Sequence, residues 1–184
     1  GGQSAAPGAA PPRPPPGTRF TNYYLRADGT LDVMTPTDIN AARRFDYDPR
    51  QPVPTIGGAI SSGEPLMVGG AFDQVEGPRF FGCKPPYRKL AERPDVLVFQ
   101  TRPLAEDTEV IGPIVARLWV SSSCPDTDFT AKLIDVHPAN EDYPEGYAMN
   151  LTDGILRLRY RDSWEAPSPV SYTHLRAHET KANL

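Results

Sequence analysis

An all-β sandwich of the jelly-roll kind is the fold class this chain predicts, and three observations predict it. The 184 residues carry 22 prolines and 15 glycines, which suit edge strands and turns but remove donors and fix φ inside helices. Strict alternation recurs: Ile114, Ala116, Leu118 and Val120 against Val115, Arg117 and Trp119, then Leu156, Leu158 and Tyr160 against Arg157, Arg159 and Arg161. A helix would scatter both sets around its circumference, whereas a half-buried strand sorts them onto two faces. Turn signals separate these runs, the pattern of a sandwich or jelly roll.

In chain order, residues 1–17 are dominated by Gly, Ala and Pro and cannot bury enough apolar surface to offset ordering. They read as a linker, with a proline-rich ligand for a recognition domain as the sharper alternative. From Thr18 the pattern changes. Asn22-Tyr23-Tyr24-Leu25 and Thr30-Leu31-Asp32-Val33 flank Asp28-Gly29, a pair suited to the positive φ of a hairpin turn. Phe45 to Thr55 holds Pro49, Pro52 and Pro54 and reads as extended loop or edge. Gly57-Gly58, Gly63 and Gly69-Gly70 continue the loop, and Phe72-Asp73-Gln74 closes it.

Val75 to Pro94 has no clean period and reads as an insertion packed on the surface. The short apolar run Asp95 to Gln100 fits a buried strand, being too short for an independent helix. Ile114 to Val120 is the next strand, with Trp119 expected in the core. Phe129, Ala131 and Leu133 share one face of a further strand opposite Thr130, Lys132 and Ile134, and a turn-rich loop leads to the strand that ends in the Leu/Arg alternation. That last strand is expected to hold its three arginines in solvent.

Charge excludes some partners. A net charge of -4 with interspersed signs offers no basic stripe for phosphates and no polybasic patch, so neither nucleic acid nor a membrane surface is an expected partner. No apolar run reaches membrane-spanning length. The chain opens at Gly1 rather than a methionine, which reads as a truncation and leaves a leader unjudged.

No constellation of catalytic residues emerges, so no catalytic, cofactor-binding or metal site is assigned. A strand-to-helix serine elbow needs G-x-S-x-G. Here Ala59-Ile60-Ser61-Ser62-Gly63 lacks the first glycine, and reads as loop. His137, in Asp135-Val136-His137-Pro138, could act as a general base, but no nucleophile accompanies it, and it reads as a strand-end histidine. Cys83 beside Lys84 could be an activated thiol, yet Cys83 and Cys124 match no metal or redox spacing and read as independent thiols. Asp126, Asp128 and Asp135 lack the remaining ligands and glycine of a calcium loop and read as turn-capping groups. His174 and His178, four apart, could face one zinc ion on a helix, but no further ligands accompany them.

Several ordered segments carry a resemblance. Pro14-Pro15-Pro16-Gly17-Thr18 with Tyr23-Tyr24-Leu25 and Gly29-Thr30-Leu31 leads into Asp48-Pro49 and Pro52-Val53-Pro54-Thr55-Ile56-Gly57-Gly58. Gly70-Ala71-Phe72-Asp73-Gln74, Asp95-Val96-Leu97-Val98-Phe99, Pro103-Leu104, Asp107-Thr108-Glu109-Val110 and Gly112-Pro113 follow, then Pro125 to Arg161. Together they resemble the C-terminal β-sandwich of serine hydrolases of the cocaine esterase, α-amino-acid ester hydrolase and X-Pro dipeptidyl-peptidase family. The resemblance implies a jelly roll of galactose-binding-like fold, packed on an upstream α/β-hydrolase domain of the same parent chain and helping to wall its active site. The triad of such enzymes lies in that upstream domain, so no catalytic residue carries over.

This domain alone is therefore expected to be inactive, with no cofactor, in a bacterial parent that is cytoplasmic or exported. A homo-oligomer is a further partner option. A free-standing carbohydrate-binding jelly roll is the alternative function. The sequence departs from the family at three points. Val75 to Pro94 is longer than usual, Ser61-Ser62 stand where some relatives have paired cysteines, and a Pro-Gly-His-Arg-type final segment is missing. The run Val170 to Thr180 resembles translated sequencing-adapter DNA of metagenomic origin. The organisation expected is therefore a linker at 1–17, a jelly roll at 18–168, incomplete at its C-terminal end with an open sheet edge, and a non-native tail at 169–184.

Overall fold

The computed structural model describes residues 15–168 except Ile39 and Pro65, together with the backbone of Leu175–Asn183. The linker reading and the proline-rich alternative fall almost wholly outside the described residues, as do the side chains of His174 and His178. The described chain is all-β, with six strands and two single-turn 3₁₀ helices. Strands β1 (Tyr24–Leu25) and β2 (Leu31–Asp32) form a short antiparallel hairpin. Strands β3 (Pro113–Val120) and β6 (Leu175–Asn183) pair antiparallel, as do β4 (Asp128–His137) and β5 (Tyr147–Arg157).

The first turn forms for the reason its sequence suggests. Gly29 takes φ +87°, donates to Arg26 O at 3.0 Å, and is followed by Thr30, whose N–H and hydroxyl both donate to Asp28 Oδ1. Only glycine adopts that φ without strain. The loop is therefore a turn closed by a left-handed glycine rather than a two-residue hairpin turn.

One face of β3 meets the β4–β5 ladder across an apolar cleft. Along β3, Ile114, Ala116, Leu118 and Val120 turn inward while Val115, Arg117 and Trp119 turn out. Ala116, Leu118 and Val120 line a narrow apolar cleft with Phe129, Ala131, Leu156 and Leu158. Leu158, 1% exposed, is its centre, with Val120 and Phe129 packed on it. On β5 the register slips at Leu151, since Leu133 opposes Thr152 while Ile134 opposes Asn150. Such an extra residue bends a strand and increases its twist.

Four sequence expectations need correction. Trp119 is 72% exposed, because alternation sets it on the outer face with Arg117. Residues 95–100 form no ladder. They carry one parallel bridge, from Gln100 to Thr30, and the carbonyl of Val98 is taken by Arg43 Nη1 at 2.8 Å. The strand carrying the Leu/Arg alternation stops at Arg157, and Leu158–Tyr160 turns into a 3₁₀ helix. Nor do all three arginines stand in solvent. Arg161, 12% exposed in its side chain, donates to Leu158 O and Ser168 O.

One other expectation holds. The proline-rich window from Phe45 to Thr55 forms no strand. Val75 to Pro94 is a long loop pinched at its base, where Leu90 N donates to Gln74 O at 2.9 Å and Glu76 N donates to Arg88 O at 2.8 Å. Within it, Phe80 sets its ring edge-to-face on Phe72, centroids 5.4 Å apart.

Candidate functional surface

Two polar staples and one ionic clasp position the surfaces of this domain. The first staple joins the glycine-rich crossover to β5. Asp73 Oδ1 accepts from Ala148 N at 2.9 Å, Gln74 N donates to Ala148 O at 3.0 Å, and Asn150 N donates to Phe72 O at 3.3 Å. The Gln74 amide, 6% exposed, donates from Nε2 to Ile56 O and Phe72 O, both at 3.0 Å. Phe72-Asp73-Gln74 thus works as an adaptor: its backbone and one carboxylate hold β5, and its amide holds the start of the crossover at Ile56, which is fully buried.

Glycines allow the close approach. Gly58 and Gly70 exchange two backbone hydrogen bonds, 2.9 and 3.0 Å. A Cβ at Gly58 would stand 2.8 Å from the Asp153 carboxylate, which itself pairs with Lys132 at 3.2 Å.

The second staple is Arg93. Its guanidinium donates to both oxygens of Asp95 at 2.9 and 2.8 Å, to Glu76 at 3.3 Å and to Gln51 O at 2.8 Å. Asp95 and Glu76 are each 8% exposed in their side chains. One cation therefore holds three separate chain segments, in the bidentate geometry that suits arginine. The hydrogen bond to Asp95 raises the Arg93 pKa further above its ordinary value.

The ionic clasp lies where β5 ends. Arg157 bonds both oxygens of Asp128 at 2.8 and 2.9 Å. Arg159 donates its backbone N–H and its guanidinium to Asp126. The hydrogen bond from Arg157, then its charge, holds the Asp128 carboxyl below the usual carboxylate range. Asp126 and Asp128 were expected as turn caps. They are chiefly arginine partners, since the strand register sets Asp128 opposite Arg157.

The remaining singled-out residues are not brought together. His137 Nε2 lies 3.1 Å from Asp135 Oδ2, both about half exposed. Ser61 donates to Met67 O at 3.3 Å within its loop. Cys83 and Cys124 are free thiols, the first half-buried and the second exposed. Among the described residues no group of three His, Cys, Asp or Glu is arranged to hold a metal ion, and no helix is long and apolar enough to cross a membrane.

Arg93 is not legible as a structural residue in the sequence, because nothing in its local sequence marks partners so distant in the chain. The only signal was the Phe72-Asp73-Gln74 motif itself.

Comparison with known proteins places this architecture in a family. Residues 9–178 match the model of the X-Pro dipeptidyl-peptidase C-terminal non-catalytic domain. The chain is also 38% identical, over 167 residues and 85% of its length, to a cocaine esterase of Rhodococcus sp. (strain MB1 Bresler). It spans about a quarter of that relative, 25% of its length. The chain belongs to the family of X-Pro dipeptidyl-peptidase C-terminal non-catalytic domains.

Proposed function

We propose that this chain is the accessory domain of a serine hydrolase that cleaves esters or peptide bonds. It packs on an upstream α/β-hydrolase domain and helps to shape that domain's active site, while serine, acid and histidine lie outside residues 18–168. The observation that carries this reading is the family match over residues 9–178, supported by identity to an esterase of which this chain spans 25%. The side chains fit a passive role, because the ion pairs and amides described above serve backbone positioning. Reading the coding DNA upstream of Gly1 tests it. The expected result is an in-frame hydrolase with a G-x-S-x-G elbow, and an unrelated frame there would overturn the reading.

A second reading, a carbohydrate-binding module, is favoured by one observation: Trp119 and Trp164 are 72% and 71% exposed, and Trp164 stacks on Tyr160 with ring centroids 5.3 Å apart. Calorimetric titration with mono- and oligosaccharides checks it, and micromolar binding would establish it over the accessory role. The proposed domain limits carry the same status. The tail assignment at 169–184 rests on the run Val170 to Thr180, and since the family match continues to residue 178, the same DNA must locate the join.

A further inference from the structure

We propose that the apolar face of the β1–β2 hairpin is the seat on which the preceding hydrolase domain docks, an inference that rests on the accessory-domain reading above. Leu25 and Leu31 are cross-strand partners. Alternation carries Tyr23, two residues before Leu25, onto the same face, and Val33 follows β2 directly in a bend. Tyr23, Leu25 and Val33 are 46%, 44% and 51% exposed, and Phe20 and Met34 flank them at 75% and 68%. None of these side chains is charged. Among the described residues the hairpin backbone joins the rest of the domain where Leu31 N donates to Gln100 O and Gln100 N donates to Gly29 O, while Arg26 Nη2 donates to Met34 O within the hairpin segment. A two-stranded hairpin is marginal in water by itself, and a contiguous exposed apolar face marks a surface that another body covers.

The occupant follows from the order of the chain. In a C-terminal domain family, with a relative of which this chain covers only 25%, the rest of the protein is attached ahead of the domain. The hairpin is the first element among the described residues met from that side. A domain attached ahead of Pro15 is tethered to this one through the chain that enters the hairpin. An uncharged apolar seat suits such a partner, because the tether supplies the high effective concentration that charge steering would otherwise provide.

The experiment grafts the whole chain in place of the matching quarter of the Rhodococcus cocaine esterase and compares amide hydrogen exchange in the chimera and in the free chain. The expected result is at least about tenfold slower exchange, the scale on which protection reports local stability, between Tyr23 and Val33 in the chimera. The double substitution Tyr23→Ser with Val33→Ser should lower the melting temperature of the chimera and leave that of the free chain unchanged. Slowed exchange elsewhere in the domain with the hairpin unaffected would overturn the inference while leaving the accessory reading intact. No slowing anywhere in the domain would overturn both. Protection of the hairpin in the free chain that rises with concentration would assign the face to a second copy instead, and would also overturn the proposal.

Discussion

The β4–β5 hairpin and the long segment between β2 and β3 solve the same problem by different means. In the hairpin, a continuous ladder from Asp128–Arg157 to His137–Tyr147 satisfies the backbone, and one face meets β3 across the apolar cleft. Between β2 and β3 there is no long ladder. That backbone is held at isolated bridges and by side chains that reach far along the chain: Arg93 to Gln51, Gln74 to Ile56, and Arg43 to Val98. The hairpin spreads its stability over many small equivalent contacts. The irregular segment concentrates it in a few polar residues. Single substitutions should therefore be graded by apolar burial on the ladder side, and by lost partners on the loop side.

The largest effect is expected at Leu158, the most buried side chain of the apolar cleft among the described residues. Leu158→Ala removes the side chain on which Val120 and Phe129 pack, and should cost about 3–4 kcal/mol, as truncations of fully buried leucines do. Urea unfolding checks this value. A smaller cost would mean that the ladders are not packed through Leu158.

Next comes the loop side. Arg93→Met strands Asp95 and Glu76, each 8% exposed, and should cost roughly 3 kcal/mol, the low end for breaking a buried ion pair. Limited proteolysis should then cut first between Gln51 and Asp95. If cleavage instead appeared first in β4 or β5, the division of labour between the two regions would fail.

Gly57→Ala tests the close approach of the crossover. The new Cβ would overlap Gly70 O and meet Phe72 Cδ2 at 2.9 Å, at φ +67°. The Gly58–Gly70 bridge must open, at a cost of about 2 kcal/mol from backbone conformation and lost bonding. Amide exchange at Gly58 and Gly70 should quicken before that of β5.

The smallest effect belongs to the exposed clasp. The Asp128 carboxyl is held below its ordinary range by Arg157. Its stabilisation is therefore fully present above the unfolded carboxylate pKa, near 3.9, and is lost as pH falls through the lower folded value. Asp128→Asn should flatten the acid limb of the stability profile below about pH 4 and change little at neutral pH, since the pair is solvent-screened. A profile unchanged by the substitution would place the acid sensitivity elsewhere.

What was legible in the sequence follows the same division. Alternation sorts residues onto two faces, so it separated Ile114, Ala116, Leu118 and Val120 from Val115, Arg117 and Trp119 and placed Leu156 and Leu158 in the core, where both are buried. At Trp119 the expectation of burial set parity aside, and parity, which groups that residue with Arg117, describes its exposure. The reading of residues 95–100 as a strand failed, because an apolar run reports burial and says nothing about whether a neighbouring backbone offers a ladder. The partners of Arg93 and Gln74 lie as many as 42 residues away, beyond any local period. Family resemblance, carried by Phe72-Asp73-Gln74 and its neighbours, identified the domain where local patterns could not. The structure then shows what that motif does, which is to staple the crossover to β5.

The central claim is that this domain supports hydrolysis without performing it. The most direct measurement is the rate of hydrolysis of p-nitrophenyl esters and X-Pro p-nitroanilides by the purified chain, with and without a serine-directed fluorophosphonate. The account predicts no turnover above the buffer rate and no labelling by the inhibitor. Turnover that the inhibitor abolishes, with label on a serine of this chain, would contradict it.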